Sequence, residues 1–201
     1  RNGWIQLAAH EFGHMFRASH TFNGDGGSCT DAISEAHSYE IGSGSTIMSY
    51  QGICEDNQNI PSSNEGDNYF HVDNIYTMLE YMENDGDCYQ TVGSANNIPT
   101  VNPNPCNVPS FTIPKDTPFW LQGSGADIDN DAITFCWEQY DEDGETSTAT
   151  QGEIGNQASA NNTGPVFRSY PPSRNPDRYF PNFQSAVTNT VDQFDVSPRV
   201  Q

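Results

Sequence analysis

Positive charge is scarce in this sequence. Lys and Arg together number 7 among 201 residues, against 27 Asp and Glu, and the formal net charge is −20 at pH 7. Proteins that bind nucleic acids or anionic membrane surfaces need clustered cations, because the phosphate charge must be neutralised. We therefore expect neither kind of partner, and the acidic surface indicates a soluble, well-solvated chain.

Long apolar runs are missing as well. No stretch approaches the roughly 18 consecutive apolar residues that a membrane-spanning helix needs. We therefore expect no insertion into a membrane. The length allows one large domain or two small ones, and the Pro- and Asn-rich middle of the chain favours two.

The most informative segment is an HExxH motif formed by His10, Glu11 and His14. On an α-helix, at about 100° per residue, the two histidines lie about 40° apart and one turn apart in height, so both imidazoles can reach one ion. Glu11 lies on the same side of the helix and is suited to act as a general base on a water molecule. The same motif also occurs on ordinary amphipathic helices, where the histidines are merely polar surface residues.

A third histidine, His20, follows His14 by six positions. If the helix continued, His20 would lie about 9 Å further along the axis and on another face. The chain must therefore turn sharply between Met15 and His20 if all three histidines are to hold one zinc ion. Three protein ligands with one open position are typical of catalytic zinc.

These residues resemble the metzincin zinc endopeptidases, and among them the secreted bacterial reprolysin-like (adamalysin-type) enzymes. The metzincin pattern HExxHxxGxxH is followed by a methionine turn, and residues 45–50 contain a matching segment with Met48. The resemblance implies a hydrolase that cleaves protein or peptide substrates, with zinc as cofactor. It implies these roles: zinc ligands His10, His14 and His20; general base Glu11; structural methionine Met48; and metal or oxyanion contact Tyr50.

One position departs from the pattern, since Arg17 stands where the family usually has glycine. A positive φ there costs a non-glycine residue about 1 kcal/mol, so we expect a distorted turn that keeps the site. The alternative function is a catalytically impaired fragment that acts as a zinc- or calcium-containing extracellular binding or adhesion module.

The family comparison also implies a truncated catalytic domain. Metzincins hold substrate with an upstream sheet subdomain that this chain does not encode, so we expect residues 1–91 to form only the lower, zinc-binding subdomain. Helical spacing predicts apolar faces on two helices, the first with Ile5 and Phe12, the second about residues 69–83 with Ile75 and Leu79. We expect these faces to pack against the core of the subdomain.

A composition break follows. Residues 92–110 are rich in Pro and Asn, which indicates an extended linker or a first edge strand. In residues 111–201, runs at 119–121 and 133–138 predict strands, the second with Ile133, Phe135 and Trp137 on one face. The predicted fold is α+β: a lower metzincin subdomain followed by a small all-β sandwich, which resembles the immunoglobulin-like modules of such secreted enzymes.

Asp127, Asp129 and Asp131 form a D-x-D-x-D loop between the predicted strands. Alternate carboxylates in a tight loop present oxygens to one point, as Ca²⁺ requires, so this loop is a possible calcium site. The other interpretation is a solvent-exposed acidic hairpin.

The five cysteines contain no CxxC pair, which in a secreted chain favours disulfides over a thiolate zinc site. By position we pair Cys106 with Cys136, and we expect one bridge among Cys29, Cys54 and Cys88. A free-thiol nucleophile is the competing interpretation. The sequence leaves the connectivity, the oligomeric state and the substrate preference open.

Overall fold

The computed structural model describes residues 3–60, 66–87, 89–90, 92–102, 110–114, 117–142 and 164–188. Helix α1 spans Gly3–Met15 and helix α2 spans Val72–Asn84. Short 3₁₀ turns lie between them at Gly27–Cys29, Glu35–His37 and Asp56–Gln58. The other described residues between the two helices are loop, apart from a β-bridge between Phe22 and Glu40. Many of their backbone groups bond within turns or to polar side chains.

The second half of the chain carries small strands. Strand β1 (Thr100–Asn102) pairs antiparallel with β3 (Ser124–Ala126), and β2 (Phe119–Leu121) pairs antiparallel with β4 (Arg178–Phe180). A short helix α3, Phe183–Thr188, follows. This mixture of helices and small sheets is consistent with the predicted α+β class. The predicted β-strand at 119–121 is confirmed, whereas the immunoglobulin-like sandwich and the domain boundaries remain predictions.

The predicted strand over residues 133–138 is wrong. Only Phe135 forms a β-bridge, exchanging two backbone hydrogen bonds with Ser173. Beyond this bridge, side chains take over the pairing: the carbonyl oxygen of the Gln139 amide accepts hydrogen bonds from the backbone N–H groups of Val166 and Phe167. The expected alternation still holds, since Ile133, Phe135 and Trp137 are half-buried while their neighbours Ala132, Thr134 and Cys136 are exposed.

A small apolar core lies in the loop-rich segment between α1 and α2. Phe22 and the disulfide-bonded Cys29 and Cys54 form a cluster that Ile33 and Tyr50 complete. Many of the other buried side chains are polar. Hydrogen bonding therefore orders much of this loop-rich segment.

The predicted inward-facing apolar faces are wrong for both long helices. Ile5 and Phe12 of α1 are 70% and 59% exposed, and Ile75 of α2 is 45% exposed. Helix α2 instead buries polar residues, and the Asn74 amide donates to the Ser19 carbonyl at 2.9 Å. Within the described residues, no helix has both the length and the apolar character needed to cross a bilayer.

Candidate metal centre

Helix α1 places His10 and His14 on one side, one turn apart. Their Nε2 atoms lie 3.1 Å from each other. His10 is buried, whereas His14 is exposed toward the open side of the helix. The two nitrogens therefore converge on one point outside the helix surface.

The chain reverses directly after α1 and brings back the third histidine. The carbonyl of Gly13 accepts hydrogen bonds from the N–H groups of Phe16 and Ala18, and Arg17 adopts a left-handed φ of 66°. This is the sharp turn that the spacing predicts. It places the Nε2 atom of His20 at 3.2 Å from that of His14.

Each of the three imidazoles is held by a backbone carbonyl at its other nitrogen. The Nδ1 atoms of His10, His14 and His20 lie 2.7, 2.8 and 2.7 Å from the carbonyl oxygens of Ile47, Ala18 and Ala32. A carbonyl only accepts, so Nδ1 carries the hydrogen and Nε2 presents its lone pair. Such contacts fix the tautomer and ring orientation of metal-ligating histidines.

These residues fit a zinc ion. Nitrogens that share a tetrahedral zinc at about 2.0 to 2.1 Å lie about 3.3 Å from one another, close to the two Nε2 separations of 3.1 and 3.2 Å. Three converging lone pairs also repel each other unless a cation lies between them. Among the described residues, His10, His14 and His20 form the one group of at least three His, Cys, Asp or Glu side chains with metal-binding spacing.

The electrostatics of the site favour neutral imidazole. Burial lowers the pKa of His10 below its usual value, against an opposing effect of the contact with the Ile47 carbonyl. Burial likewise lowers the pKa of His20, and the neighbouring His10 and His14 lower it further. Metal binding requires the deprotonated ring, so these shifts favour the ligand form.

Met48 lies directly beneath α1 and is fully buried. A Cβ added at Gly13 would clash with the Met48 sulfur and lie 3.2 Å from a ring carbon of Phe70. Only glycine therefore fits at position 13 with Met48 in its observed place. The sequence analysis did not single out Gly13, although its position inside HExxH is a local signal.

Glu11, Tyr50 and His10 all line an open cavity of about 770 Å³. Glu11 is exposed in this cavity. The ring of Tyr50 lies 4.5 Å from that of His20 and 5.9 Å from that of His10, measured between centroids. The catalytic roles of both residues stay predictions.

Glu40 is a site residue that the sequence analysis missed. Its buried carboxylate accepts hydrogen bonds from the hydroxyls of Thr21 and Thr46 and from the backbone N–H groups of Ser45 and Thr46. It therefore ties the residue after His20 to the loop that leads into Met48. No local pattern predicts this role, because a single glutamate in a loop is usually exposed.

The side chain of Arg17 points away from the three histidines. Its guanidinium pairs with Asp85 and lies 4.8 Å from the ring centroid of Tyr81. The side chain is 61% exposed. The positive charge therefore meets a carboxylate and solvent, while the backbone of Arg17 alone serves the metal centre.

Two of the three aspartates of the D-x-D-x-D loop, Asp127 and Asp129, use carboxylate oxygens in hydrogen bonds within the chain. Asp127 Oδ1 accepts from the N–H of Asp129 at 2.7 Å and from that of Asp131 at 3.3 Å. Asp129 accepts from the backbone and side chain of Asn97, and these bonds lower the pKa of its carboxyl. These hydrogen bonds stabilise the loop as a turn. Calcium binding stays a prediction.

The cysteines follow the sequence prediction in part. Cys29 and Cys54 form the expected bridge of the first segment, and Cys88 lies outside the described residues. The predicted pairing of Cys106 with Cys136 is wrong, because Cys136 carries a free thiol; Cys106 lies outside the described residues. Desolvation of the sulfur and, after it, the charge of the nearby Glu138 raise the pKa of this thiol to about 12, whereas the hydrogen bond with Ser169 lowers it. Such a thiol stays protonated at neutral pH, which argues against a thiolate nucleophile.

Comparison with known families gives a match over part of the chain. Residues 2–72 match the family described as metallo-peptidase family M12B, reprolysin-like. The match supports a metzincin-like metallopeptidase. It covers α1, the three histidines, the Met48 loop and the first residue of α2, and thus the whole metal centre. No curated protein matches the chain, and no solved structure does.

Proposed function

We propose that this chain is a zinc-dependent endopeptidase that hydrolyses peptide bonds in proteins, with Glu11 as general base. The convergence of three Nε2 atoms, each imidazole oriented by a backbone carbonyl, carries the proposal. A glutamate directly beside such a cluster is needed for hydrolysis and has no role in a purely structural site.

His10, His14 and His20 would hold the zinc through Nε2. When bound, zinc supplies a Lewis acid that polarises the substrate carbonyl and makes water easier to deprotonate. The Glu11 carboxylate accepts the proton of the attacking water and then passes it to the nitrogen of the leaving amine. The ring of Tyr50 lies beside that of His20, and its hydroxyl is suited to donate a hydrogen bond to the carbonyl oxygen as negative charge develops there.

The cavity beside Glu11 supports a peptide as substrate. Its lining combines apolar side chains such as Leu7 and Ile60 with the polar groups of Gln51 and Asn59. Binding clefts of peptidases combine apolar area with a few polar groups in this manner. Backbone and side-chain groups of an extended peptide would both find partners here.

We infer that the enzyme acts outside the cytoplasm. The Cys29–Cys54 disulfide is part of the small apolar core. Disulfides persist in oxidising compartments and are rare in the cytosol. The match to a peptidase family whose members are often secreted points the same way.

The deciding experiment compares Glu11→Gln with the wild type. We expect the variant to retain about one zinc per chain, measured by mass spectrometry, and to lose cleavage of an unfolded protein substrate by at least about 100-fold, the lower range for general-base catalysis. Glu83→Gln, an exposed position on α2, is the matched control and should cleave like the wild type.

Two results would contradict the proposal. Full activity of Glu11→Gln would remove the role assigned to Glu11. Zinc binding by the wild type without chelator-sensitive cleavage would favour the alternative of an extracellular binding or adhesion module.

A further inference from the structure

The second half of the chain contacts the segment beside the metal centre through buried polar groups. Arg168 Nη2 donates to Asp67 Oδ2 at 3.1 Å, with both side chains only 10% exposed. The Tyr69 hydroxyl donates to Ser169 Oγ at 2.5 Å, and Ser169 Oγ donates to Glu138 Oε1 at 2.7 Å. Glu138 Oε2 accepts from the N–H of Val72, the first residue of α2.

The other side of this contact is the loop that orients His10. The N–H of Ile47 donates to the carbonyl of Tyr69 at 3.0 Å, while the carbonyl of Ile47 accepts from His10 Nδ1 at 2.7 Å. Two residues earlier, the carbonyl of Ser45 accepts from the N–H of Asp67 at 2.7 Å. Residues 45–47 are thus held on one side by residues 67–69 and in turn hold the imidazole.

A short path therefore joins Ser169 to the metal centre. It runs from the Ser169 hydroxyl to the Tyr69 side chain, from the Tyr69 carbonyl to Ile47, and from the Ile47 carbonyl to His10. The path consists of three hydrogen bonds, which are joined covalently through the Tyr69 and Ile47 residues. A buried polar group that loses its partner is costly in free energy, so it moves to keep a hydrogen bond. A small displacement of one group in such a network therefore displaces its neighbours.

Burial makes the Ser169 contact costly to lose. Burial raises the pKa of Tyr69 well above its usual value, so the phenol stays a neutral donor at all working pH values. If the acceptor at position 169 were removed, the hydroxyl would need another partner, and the ring would shift to reach one. The Tyr69 carbonyl accepts the hydrogen bond of the Ile47 N–H, so a shift of Tyr69 would also displace Ile47. The Ile47 carbonyl, which accepts from His10 Nδ1, would move with it.

We propose that Ser169 is a positioning residue of the metal centre, acting through Tyr69 and Ile47 on the ring of His10. The second half of the chain would thus help to position a metal ligand, which an appended binding module would not do. The inference rests on the proposed function, because it takes the three histidines as zinc ligands.

The test measures zinc affinity, by competition with a chromophoric chelator, in Ser169→Ala, Ser169→Thr and the wild type. We expect Ser169→Ala to bind zinc about three- to tenfold more weakly, somewhat less than the effect of losing a group bonded directly to a ligand. Ser169→Thr keeps a hydroxyl and should restore most of the affinity. The visible spectrum of the Co²⁺-loaded protein should change in Ser169→Ala and return in Ser169→Thr.

Ser173→Ala is the matched control, because within the described part of the chain this exposed hydroxyl bonds only to the nearby carbonyl of Asn175. It should leave both the affinity and the spectrum unchanged. Tyr69→Phe removes the same hydrogen bond from the other partner, and it replaces Ser169→Ala in the comparison if the latter does not fold. The same weakening is expected from it.

Wild-type zinc affinity in both Ser169→Ala and Tyr69→Phe would overturn the inference while leaving the endopeptidase proposal intact. Absence of zinc binding by the wild type would overturn both. Loss of affinity in Ser169→Ala that Ser169→Thr does not recover would also contradict the positioning role, because the hydroxyl would then not be its cause.

Discussion

The Nδ1 atom of His10 donates to the carbonyl of Ile47 at 2.7 Å, although 37 residues separate the two in sequence. This bond links the helix that carries two of the histidines to the loop that leads into Met48. It sets the tautomer of His10, so that Nε2 is free to bind a metal. The geometry of the metal centre therefore depends on two segments that are distant in sequence, the helix α1 and the loop with Ile47. The contacts that hold each segment in place also determine how stable this geometry is.

Gly13→Ala should destabilise the protein, although alanine is the better helix former. The new methyl group would meet the Met48 sulfur, and overpacking costs about 1 to 3 kcal/mol against a propensity gain of about 1 kcal/mol. We therefore expect a net loss of up to about 2 kcal/mol in the free energy of unfolding, measured with urea. Gly3→Ala, where a Cβ meets nothing within 4 Å, should be neutral or slightly stabilising. Equal stability of the two variants would show that Met48 moves aside freely.

Glu40→Gln should destabilise the metal-free protein by about 2 to 3 kcal/mol. The buried carboxylate accepts four hydrogen bonds, and hydrogen bonds to charged groups contribute about 1.5 to 3 kcal/mol. The amide of glutamine would place a donor against donors. Urea unfolding with chelator present measures the change, and exposed Glu35→Gln is the control. Similar stability of the two variants would mean that Glu40 contributes only through its volume.

Arg17→Gly should be more stable than Arg17→Ala by about 1 kcal/mol. Both variants lose the contacts with Asp85 and Tyr81, so the comparison isolates the backbone. Alanine carries the cost of the left-handed φ of 66°, whereas glycine does not. Thermal unfolding of the two proteins measures the difference, and both should keep one zinc per chain. If alanine were the more stable, the turn would have to relax to a negative φ.

Glu138 should make the stability of the wild type depend on pH. Burial raises the pKa of its carboxyl, against opposing effects of His71, Ser169 and the N–H of Val72, while Glu40 adds to the rise. A raised folded-state pKa stabilises the fold only while the group is protonated in both states. That contribution is present below the ordinary glutamate pKa of about 4.3 and is lost as the pH rises through the higher folded-state value.

The measurement is urea unfolding of the wild type and Glu138→Gln at several pH values from about 4 upward. We expect the wild type to lose stability relative to the variant over this window, because glutamine does not titrate. Glu83→Gln, a substitution of the same kind at an exposed position, is the matched control. A wild type that gains stability relative to Glu138→Gln as the pH rises would contradict the raised pKa.

Local sequence rules predicted the parts of the site that depend on neighbours in the chain. The helical placement of His10 and His14 follows from their spacing, and the turn at Arg17 follows from the need to return His20. Such local rules failed where the tertiary environment decides which side chains are buried. The apolar faces with Ile5 and Ile75 are exposed, because helical periodicity identifies a face and does not specify what packs on it.

By itself, the sequence predicted which groups would bind zinc, which would act as base and which methionine would lie beneath them: His10, His14 and His20, then Glu11, then Met48. Only the tertiary structure decided what holds them. The carbonyls of Ile47 and Ala32, the carboxylate of Glu40 and the hydroxyl of Ser169 come from segments distant in sequence. Buried polar groups must find partners wherever the fold offers them, and that requirement leaves no periodic signal in the chain.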